Sequence, residues 1–240
     1  MSCVACTLRC LPVFRPFTPE ELDFVSTFKI GETTLGPGET LLEDGQSSPY
    51  LYTLLAGWMF RYKTLPDGRR QILNFAMPGD FIGMQSAAFK EMQHTVESLT
   101  NVRLCVFPRQ KLWSLYSQQP GLGFDLTWIV SREERMLDDH LLSVGRRTAL
   151  ERMAYLILLL HRRARELELL VNGALELPIT QQHVADTLGL SIVHTNKTLR
   201  KLYDLGIISW RQRTLIVLKE KELAQIARQE ILPPSTRPLI

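Results

Sequence analysis

From about Phe28 to Arg109, short apolar runs alternate with glycine-bearing turns. Glu39 to Leu42 leads into Gly45, Tyr50 to Leu55 into Gly57, Met59 to Thr64 into Pro66-Asp67-Gly68, and Gln71 to Phe75 into Pro78-Gly79-Asp80. Glycine tolerates positive φ and Asp hydrogen-bonds within its own turn, so each junction marks a chain reversal. Reversals roughly every ten residues predict an all-β barrel or sandwich.

The period changes at about Gln119. Leu122, Leu126, Ile129, Met136, Leu137, Leu141 and Val144 recur at helical spacings with no glycine turn between them, which predicts a long amphipathic helix with Pro120 in its first turn and Gly145 at its end. Glu133 and His140 fall near the apolar seam, so periodicity alone leaves two partners open: the helix's own β domain, or its twin in a second chain. A second helix is predicted from Arg146 to about Leu167, with Leu150, Met153, Ala154, Ile157, Leu158, Leu160 and Ala164 on a broad apolar face and Asn172-Gly173 after its end.

Residues 178 to 218 read as a helix-turn-helix with a wing. Thr180 is placed to cap a first short helix, Gly189 to turn the chain and Ser191 to cap a second helix through Tyr203, while Ala185 is small where two helices would cross. Gly206-Ile207-Ile208-Ser209-Trp210 and Thr214 to Leu218 then flank Arg211-Gln212-Arg213, a β-hairpin with two arginines at its tip. In such a unit the second helix enters the major groove while the first helix's start, the turn and the wing hold phosphates. The candidate contacts are Thr180, Gln181, Gln182, Ser191, Val193, His194, Asn196, Lys197, Arg200, Lys201, Arg211 and Arg213. Asn196 matches adenine and Lys197 guanine by donor and acceptor geometry.

The 240 residues are 45% hydrophobic and 22% charged, ordinary for one large or two small globular domains. No apolar run approaches the roughly 20 residues of a membrane-spanning helix, and the first fifteen residues, with Cys3, Cys6, Arg9, Cys10 and Arg15, hold no continuous apolar signal region. A cytoplasmic protein with no membrane partner is expected. The net charge of +3 is small, but from Glu176 to Lys219 six bases face three acids, so the basic excess sits in the helix-turn-helix and wing. Enzyme function is not expected: only His94 among the histidines lies in the β region, and no His-x-His pair of metal ligands occurs.

A β-roll with Pro78-Gly79-Asp80-Phe81-Ile82-Gly83, a long helix, and a winged helix-turn-helix from Leu177 to Leu218 resembles, in order and spacing, the Crp/Fnr family of bacterial transcription regulators. The resemblance implies an α+β protein: a cysteine-containing arm over 1–18, a cyclic-nucleotide-binding-like β-roll sensor over 19–118, a dimerisation helix over 119–145, a winged helix-turn-helix DNA-binding domain over 146–230 and a flexible tail over 231–240. It also implies a homodimer on double-stranded DNA of two-fold symmetry, and RNA polymerase as partner of an activator. Departures narrow the subfamily. Members that bind cyclic AMP carry a Glu for the ribose and an Arg for the phosphate, where this chain has Gly83-Met84-Gln85 and His94-Thr95. A buried phosphate without a fixed cation is poorly compensated, so cyclic AMP is not expected. Val193 and Lys197 replace the usual Glu and Arg of the reading helix, which predicts a different target sequence, and Thr195 and Thr198 stand where the family has apolar residues.

Cys3, Cys6 and Cys10 form C-x2-C-x3-C, and Cys105 stands alone in Val102 to Pro108. The oxygen-sensing Fnr branch holds a [4Fe-4S] cluster by three N-terminal cysteines and one on a β-roll strand, so the resemblance implies Cys3, Cys6, Cys10 and Cys105 as metal ligands. The three-residue gap between Cys6 and Cys10 is shorter than in the best-known sensors. Reversible thiol oxidation, or an unknown small ligand with no metal, is the alternative.

Overall fold

The computed structural model describes residues 3–230 and 235–240. These divide into two compact units, one containing residues up to Leu65 with Asn74–Arg135 and Ser235–Ile240, the other Pro66–Leu73 with residues 136–230.

The first unit opens with two short 3-10 turns, Cys3–Ala5 and Thr7–Cys10, and helix α1 (Pro19–Phe28). Helix α1 starts on a capping box: the Thr18 hydroxyl accepts from Glu21 N–H at 3.2 Å and the Glu21 carboxylate accepts from Thr18 N–H at 2.9 Å. Strands β1 (Gly31–Leu35), β2 (Thr40–Leu42), β3 (Tyr50–Ala56), β4 (Met59–Thr64), β5 (Arg70–Ala76), β6 (Phe81–Ile82), β7 (Thr95–Ser98) and β8 (Val102–Pro108) follow, with helix α2 (Met84–Phe89) after β6. They form two four-stranded sheets, ordered β1-β8-β3-β6 and β2-β7-β4-β5. Leu54, Met59, Val96 and Leu104, fully buried, make up the cluster at the heart of the roll with Leu42 and Val102. Each such side chain contributes about 1.5–3 kcal/mol by leaving water.

The turn glycines do what the pattern predicts. At Gly57, φ is 88° and a Cβ would lie 2.3 Å from the Asn101 carbonyl oxygen, so only glycine fits between β3 and β4.

Helix α3 (Leu112–Gln118) leads into α4 (Pro120–Arg146), the long helix predicted from Gln119 to Gly145. Its apolar positions split into two groups. Leu122, Leu126 and Ile129 are buried, whereas Phe124, Val130, Leu137, Leu141 and Leu142 are exposed.

The second unit is built on α5 (Ala149–Glu166), capped by Thr148 and Glu151, and a sheet ordered β11-β12-β10-β9. The hairpin β9 (Leu170–Val171) and β10 (Ala174–Glu176) turns at Asn172-Gly173, both at positive φ. Helices α6 (Gln181–Leu188) and α7 (Ile192–Asp204), strands β11 (Ile208–Arg211) and β12 (Thr214–Val217), and helix α8 (Glu220–Ile226) complete it. Met153, Ala154, Ile157 and Leu160 of α5 are buried, as are Leu188, Leu202 and Leu215. The same unit includes Arg70, whose guanidinium pairs with Asp186 at 2.9 Å, and Gln71, which donates to the Thr187 carbonyl at 2.9 Å.

The tail departs from the expectation. Its first four residues, 231–234, lie outside the described residues, but Ser235–Ile240 is not a flexible end: Arg237, Pro238, Leu239 and Ile240 are buried in the first unit. Arg237 N–H donates to the Val13 carbonyl at 2.8 Å and Arg15 N–H to the Arg237 carbonyl at 2.9 Å, a single parallel bridge between Phe14 and Arg237. Proline content reads as flexible because the partners lie more than two hundred residues away in the chain.

His94 is buried against the roll, and burial, followed by the charges of Arg61 and Lys63, holds its imidazole down at about 3. Unfolded, it titrates near 6.5, so between about pH 6.5 and about 3 the unfolded chain binds the extra proton and stability falls as pH falls. In urea unfolding, His94→Gln is expected to lose less stability than the parent chain between pH 7 and pH 5.

Candidate nucleic-acid interface

Helices α6 and α7 are set by their caps. Thr180 Oγ1 accepts from His183 N–H at 3.2 Å, and His183 Nδ1 accepts from Thr180 N–H at 3.1 Å, a capping box with histidine in the place of the usual carboxamide or carboxylate. Gly189 ends α6 at φ 64°, and Ser191 Oγ accepts from His194 N–H at 3.2 Å to start α7. Both hydroxyls serve the helices as acceptors, which leaves their O–H free to donate. Two helix N-termini with free hydroxyl donors suit phosphate oxygens.

Helix α7 has two faces. Thr195, Thr198 and Leu202 point into the unit, so the threonines occupy the places where apolar residues were expected. Thr198 Oγ1 donates to the His194 carbonyl at 2.8 Å; Thr195 Oγ1 is buried without a hydrogen-bond partner among the described residues. Val193, Asn196, Lys197 and Arg200, at successive spacings of three, one and three, lie together on the exposed face, with His194 and Lys201 exposed beside them. Thr180, Gln181, Gln182, Ser191, Arg211 and Arg213 are exposed as well. Besides the capping hydroxyls of Thr180 and Ser191, partners within the unit are these: Gln182 Nε2 donates to Asp186 at 2.6 Å, Arg200 lies 3.8 Å from Asp204, and an Arg211 Nη donates to the Tyr203 hydroxyl.

The wing is the hairpin of β11 and β12, whose two turn residues, Gln212 and Arg213, have φ of 47° and 71°. Sequence reasoning passed over Tyr203. Its ring lies 5.5 Å from the Arg211 guanidinium, joining the end of α7 to the wing. An aromatic near the end of the reading helix, eight residues before a basic turn, was the available signal.

In the other unit, Cys3, Cys6 and Cys105 line one pocket with Arg9, Lys29 and Glu32. Cys3 and Cys105 are buried, while Cys10 is exposed and outside that lining. Burial pushes the Cys105 thiol up to about 11, against the pull of the Lys29 ammonium. Burial likewise lowers Arg9 from its ordinary value, partly offset by the neighbouring cysteines. The cations around these thiols come from a residue inside the cysteine motif and from the end of α1, a juxtaposition with no local signature.

A β-roll followed by a capped helix-turn-helix and a basic wing defines a class of DNA-binding transcription regulators. Residues 32–119 match the cyclic nucleotide-binding domain, and residues 151–226 match the Crp-like helix-turn-helix domain. The chain is 35% identical over 167 residues to the transcriptional activatory protein AadR of Rhodopseudomonas palustris, covering 70% of this chain and 69% of that one. It is 34% identical to the nitrogen fixation regulation protein FixK of Bradyrhizobium diazoefficiens, covering 72% and 71% of the two chains. The solved structure of FixK2 from Bradyrhizobium japonicum superposes with a TM-score of 0.74 at 26% identity, over 84% of this chain and 98% of that one. The protein belongs to the Crp/Fnr family of transcription regulators. Among the described residues, no helix is long and apolar enough to cross a membrane.

Two ligands implied by family kinship meet this geometry differently from what kinship alone suggests. At the positions aligned with the nucleotide contacts, Gln85 Oε1 accepts from the backbone N–H of Gln93 at 3.2 Å and His94 is buried, so neither offers a cation to a phosphate. A [4Fe-4S] cluster needs four thiolates around one centre. Here three thiols share a pocket, Cys10 stands outside it, and no group of three His, Cys, Asp or Glu among the described residues is arranged to hold a metal ion. The cysteines as placed do not fit the cluster.

Thr195→Val keeps the shape of a buried side chain and removes a hydroxyl without a partner. It is expected to raise unfolding stability by about 1 kcal/mol, read from the denaturation midpoint of the full chain.

Proposed function

We propose that this regulator acts in the cytoplasm as a homodimer on a two-fold-symmetric DNA site, with half-sites about one helical turn apart. The observation that carries the DNA reading is the exposed stripe of Val193, Asn196, Lys197 and Arg200 on a capped α7, flanked by Arg211 and Arg213. In this reading Asn196 and Lys197 take base edges, and Val193 contacts a thymine methyl. Thr180, Gln181, Gln182, Ser191 and the two wing arginines hold phosphates, with His194, Arg200 and Lys201 along the groove. AadR is named as an activatory protein, which supports activation here too, with RNA polymerase as the further partner.

Dimerisation is assigned to the exposed apolar positions of α4. Leu141 is 73% exposed and Leu142 51%, on the same helix as exposed Val130 and Leu137. Apolar residues at positions 130, 137 and 141 repeat at seven and four, the seam spacing of paired helices. Leu122, Leu126 and Ile129 are packed within the first unit, which supports a helix that serves its own unit with one set of positions and a second chain with another.

Sensing is assigned to the pocket of Cys3, Cys6 and Cys105, working by thiol oxidation or a small ligand and without an iron-sulfur cluster. The misfit of the four cysteines to a cluster favours this reading, and the cations of Arg9 and Lys29 favour a thiolate formed on exposure to solvent. A change at the pocket is read out as a change in the spacing of the paired reading helices.

Fluorescence anisotropy against a selected operator and a random duplex tests the DNA contacts. Asn196→Ala is expected to weaken operator binding by about 1–3 kcal/mol and leave random DNA unchanged, whereas Arg213→Ala weakens both and lowers the salt slope by about one. Equal losses on both duplexes for Asn196→Ala remove it as a base reader. In sedimentation velocity, Leu137→Asp combined with Leu141→Asp is expected to give monomers that no longer bind the operator; an unchanged dimer refutes the α4 seam.

A further inference from the structure

The segment Arg237–Ile240 is held as a ligand is held. Its backbone makes one step of parallel pairing with Phe14, and its two ends are recognised separately. At one end the Arg237 guanidinium, 6% exposed, donates to Asp80 at 3.0 Å, to the Pro78 carbonyl at 3.1 Å and to the Gly79 carbonyl at 3.4 Å, and lies 4.7 Å from the Phe14 ring centre. At the other end Leu239 and Ile240 are buried, and the Ile240 carbonyl accepts from the Thr53 hydroxyl of β3. Leu239 and Ile240 form part of the wall of the pocket that holds Cys3, Cys6 and Cys105.

The groove is shaped for this sequence. Gly79 has φ 84°, and a Cβ there would lie 2.2 Å from Phe14 Cζ, so glycine is what lets the Phe14 ring lie under the guanidinium. A buried guanidinium with a carboxylate and two carbonyl acceptors, followed by two aliphatic side chains in an apolar recess, has the parts of an extended-peptide site: main-chain pairing for affinity, a charged pocket and an apolar pocket for specificity. The chain enters this site from residue 235, after the DNA-reading unit in sequence, so the occupant is covalently tethered and locally concentrated.

We propose that the sensor unit is a peptide-binding module whose resident ligand is the chain's own Arg237–Ile240 segment, and that seating of this segment closes the pocket containing Cys3 and Cys105. The class of ligand it takes is an extended peptide with an arginine two residues ahead of a pair of branched aliphatic residues. Release of the segment opens the thiols to solvent and frees the groove for a competing peptide of that pattern. The inference stands on the first unit alone and is independent of the DNA contacts assigned above.

Alkylation by N-ethylmaleimide, mapped by mass spectrometry, tests the closure. In full-length Arg237→Ala, Cys3 and Cys105 are expected to react at least about tenfold faster than in the parent, while Cys10, already exposed, is unchanged. A chain ending at Pro234 is expected to stay folded by circular dichroism, to show the same fast thiols, and to bind a labelled Ser-Thr-Arg-Pro-Leu-Ile peptide one to one. Replacing the arginine of that peptide by alanine is expected to weaken binding at least about tenfold. Unchanged thiol rates in Arg237→Ala overturn the closure. A folded truncated chain that ignores the peptide, or binds both peptides equally, overturns the groove. Unfolding of the truncated chain overturns it as well, since the segment would then be part of the core and not its ligand.

Discussion

A carboxylate buried at the Pro78-Gly79-Asp80 turn organises the first unit. Asp80 is 7% exposed, and an ionised group so placed persists only with partners at close range. Its partners come from three parts of the chain and include the Met77 N–H of its own turn at 2.9 Å, Arg237 at 3.0 Å and Arg132 of α4 at 3.5 Å. One side chain therefore fixes the turn before β6, anchors a residue midway along the long helix, and holds the end of the described chain against the roll. Gly79, beside it, provides the space in which Phe14 covers the arginine. Because these partners share one carboxylate, losing one changes the compensation available to the charges that remain, so the contacts are coupled.

How much of this was legible from the residues depended on distance along the chain. The helix-turn-helix is local: Thr180, Gly189 and Ser191 each act within a few residues of themselves, and their cap and turn chemistry placed both helices and the wing. The β-roll was legible as a rhythm of glycine turns because each reversal needs its own positive φ. The pocket was not. Cys105 was recognisable as a strand residue and Cys3 as part of a motif, but that Arg9, Lys29 and Ile240 would surround them follows from the folding of strands far apart in sequence. Arg237 was lost to a compositional argument about prolines, which describes a chain without partners and says nothing once a buried carboxylate is waiting for it.

Helix α4 carries both covered and uncovered apolar positions. Leu122, Leu126 and Ile129 satisfy the roll, and the same repeat continued through Leu137 and Leu141 leaves apolar surface facing outward. Periodicity reports that a face is apolar without saying what covers it. Which positions are covered is visible only when burial is read residue by residue: Leu122, Leu126 and Ile129 are covered, while Phe124, Val130, Leu137 and Leu141 are not.

The wing tip carries a consequence for how this protein balances shape against charge. Two-residue hairpin turns with both φ values positive are the natural habitat of Asn-Gly, and a side chain such as Gln or Arg there costs roughly 1–2 kcal/mol per residue. Gln212 and Arg213 occupy both positions. A sequence optimised for folding alone would relax this turn with glycine and lose the cation it projects. Arg213 is exposed in an unfavourable backbone state on a tight, short support, so this turn carries a positive charge at some cost in local stability.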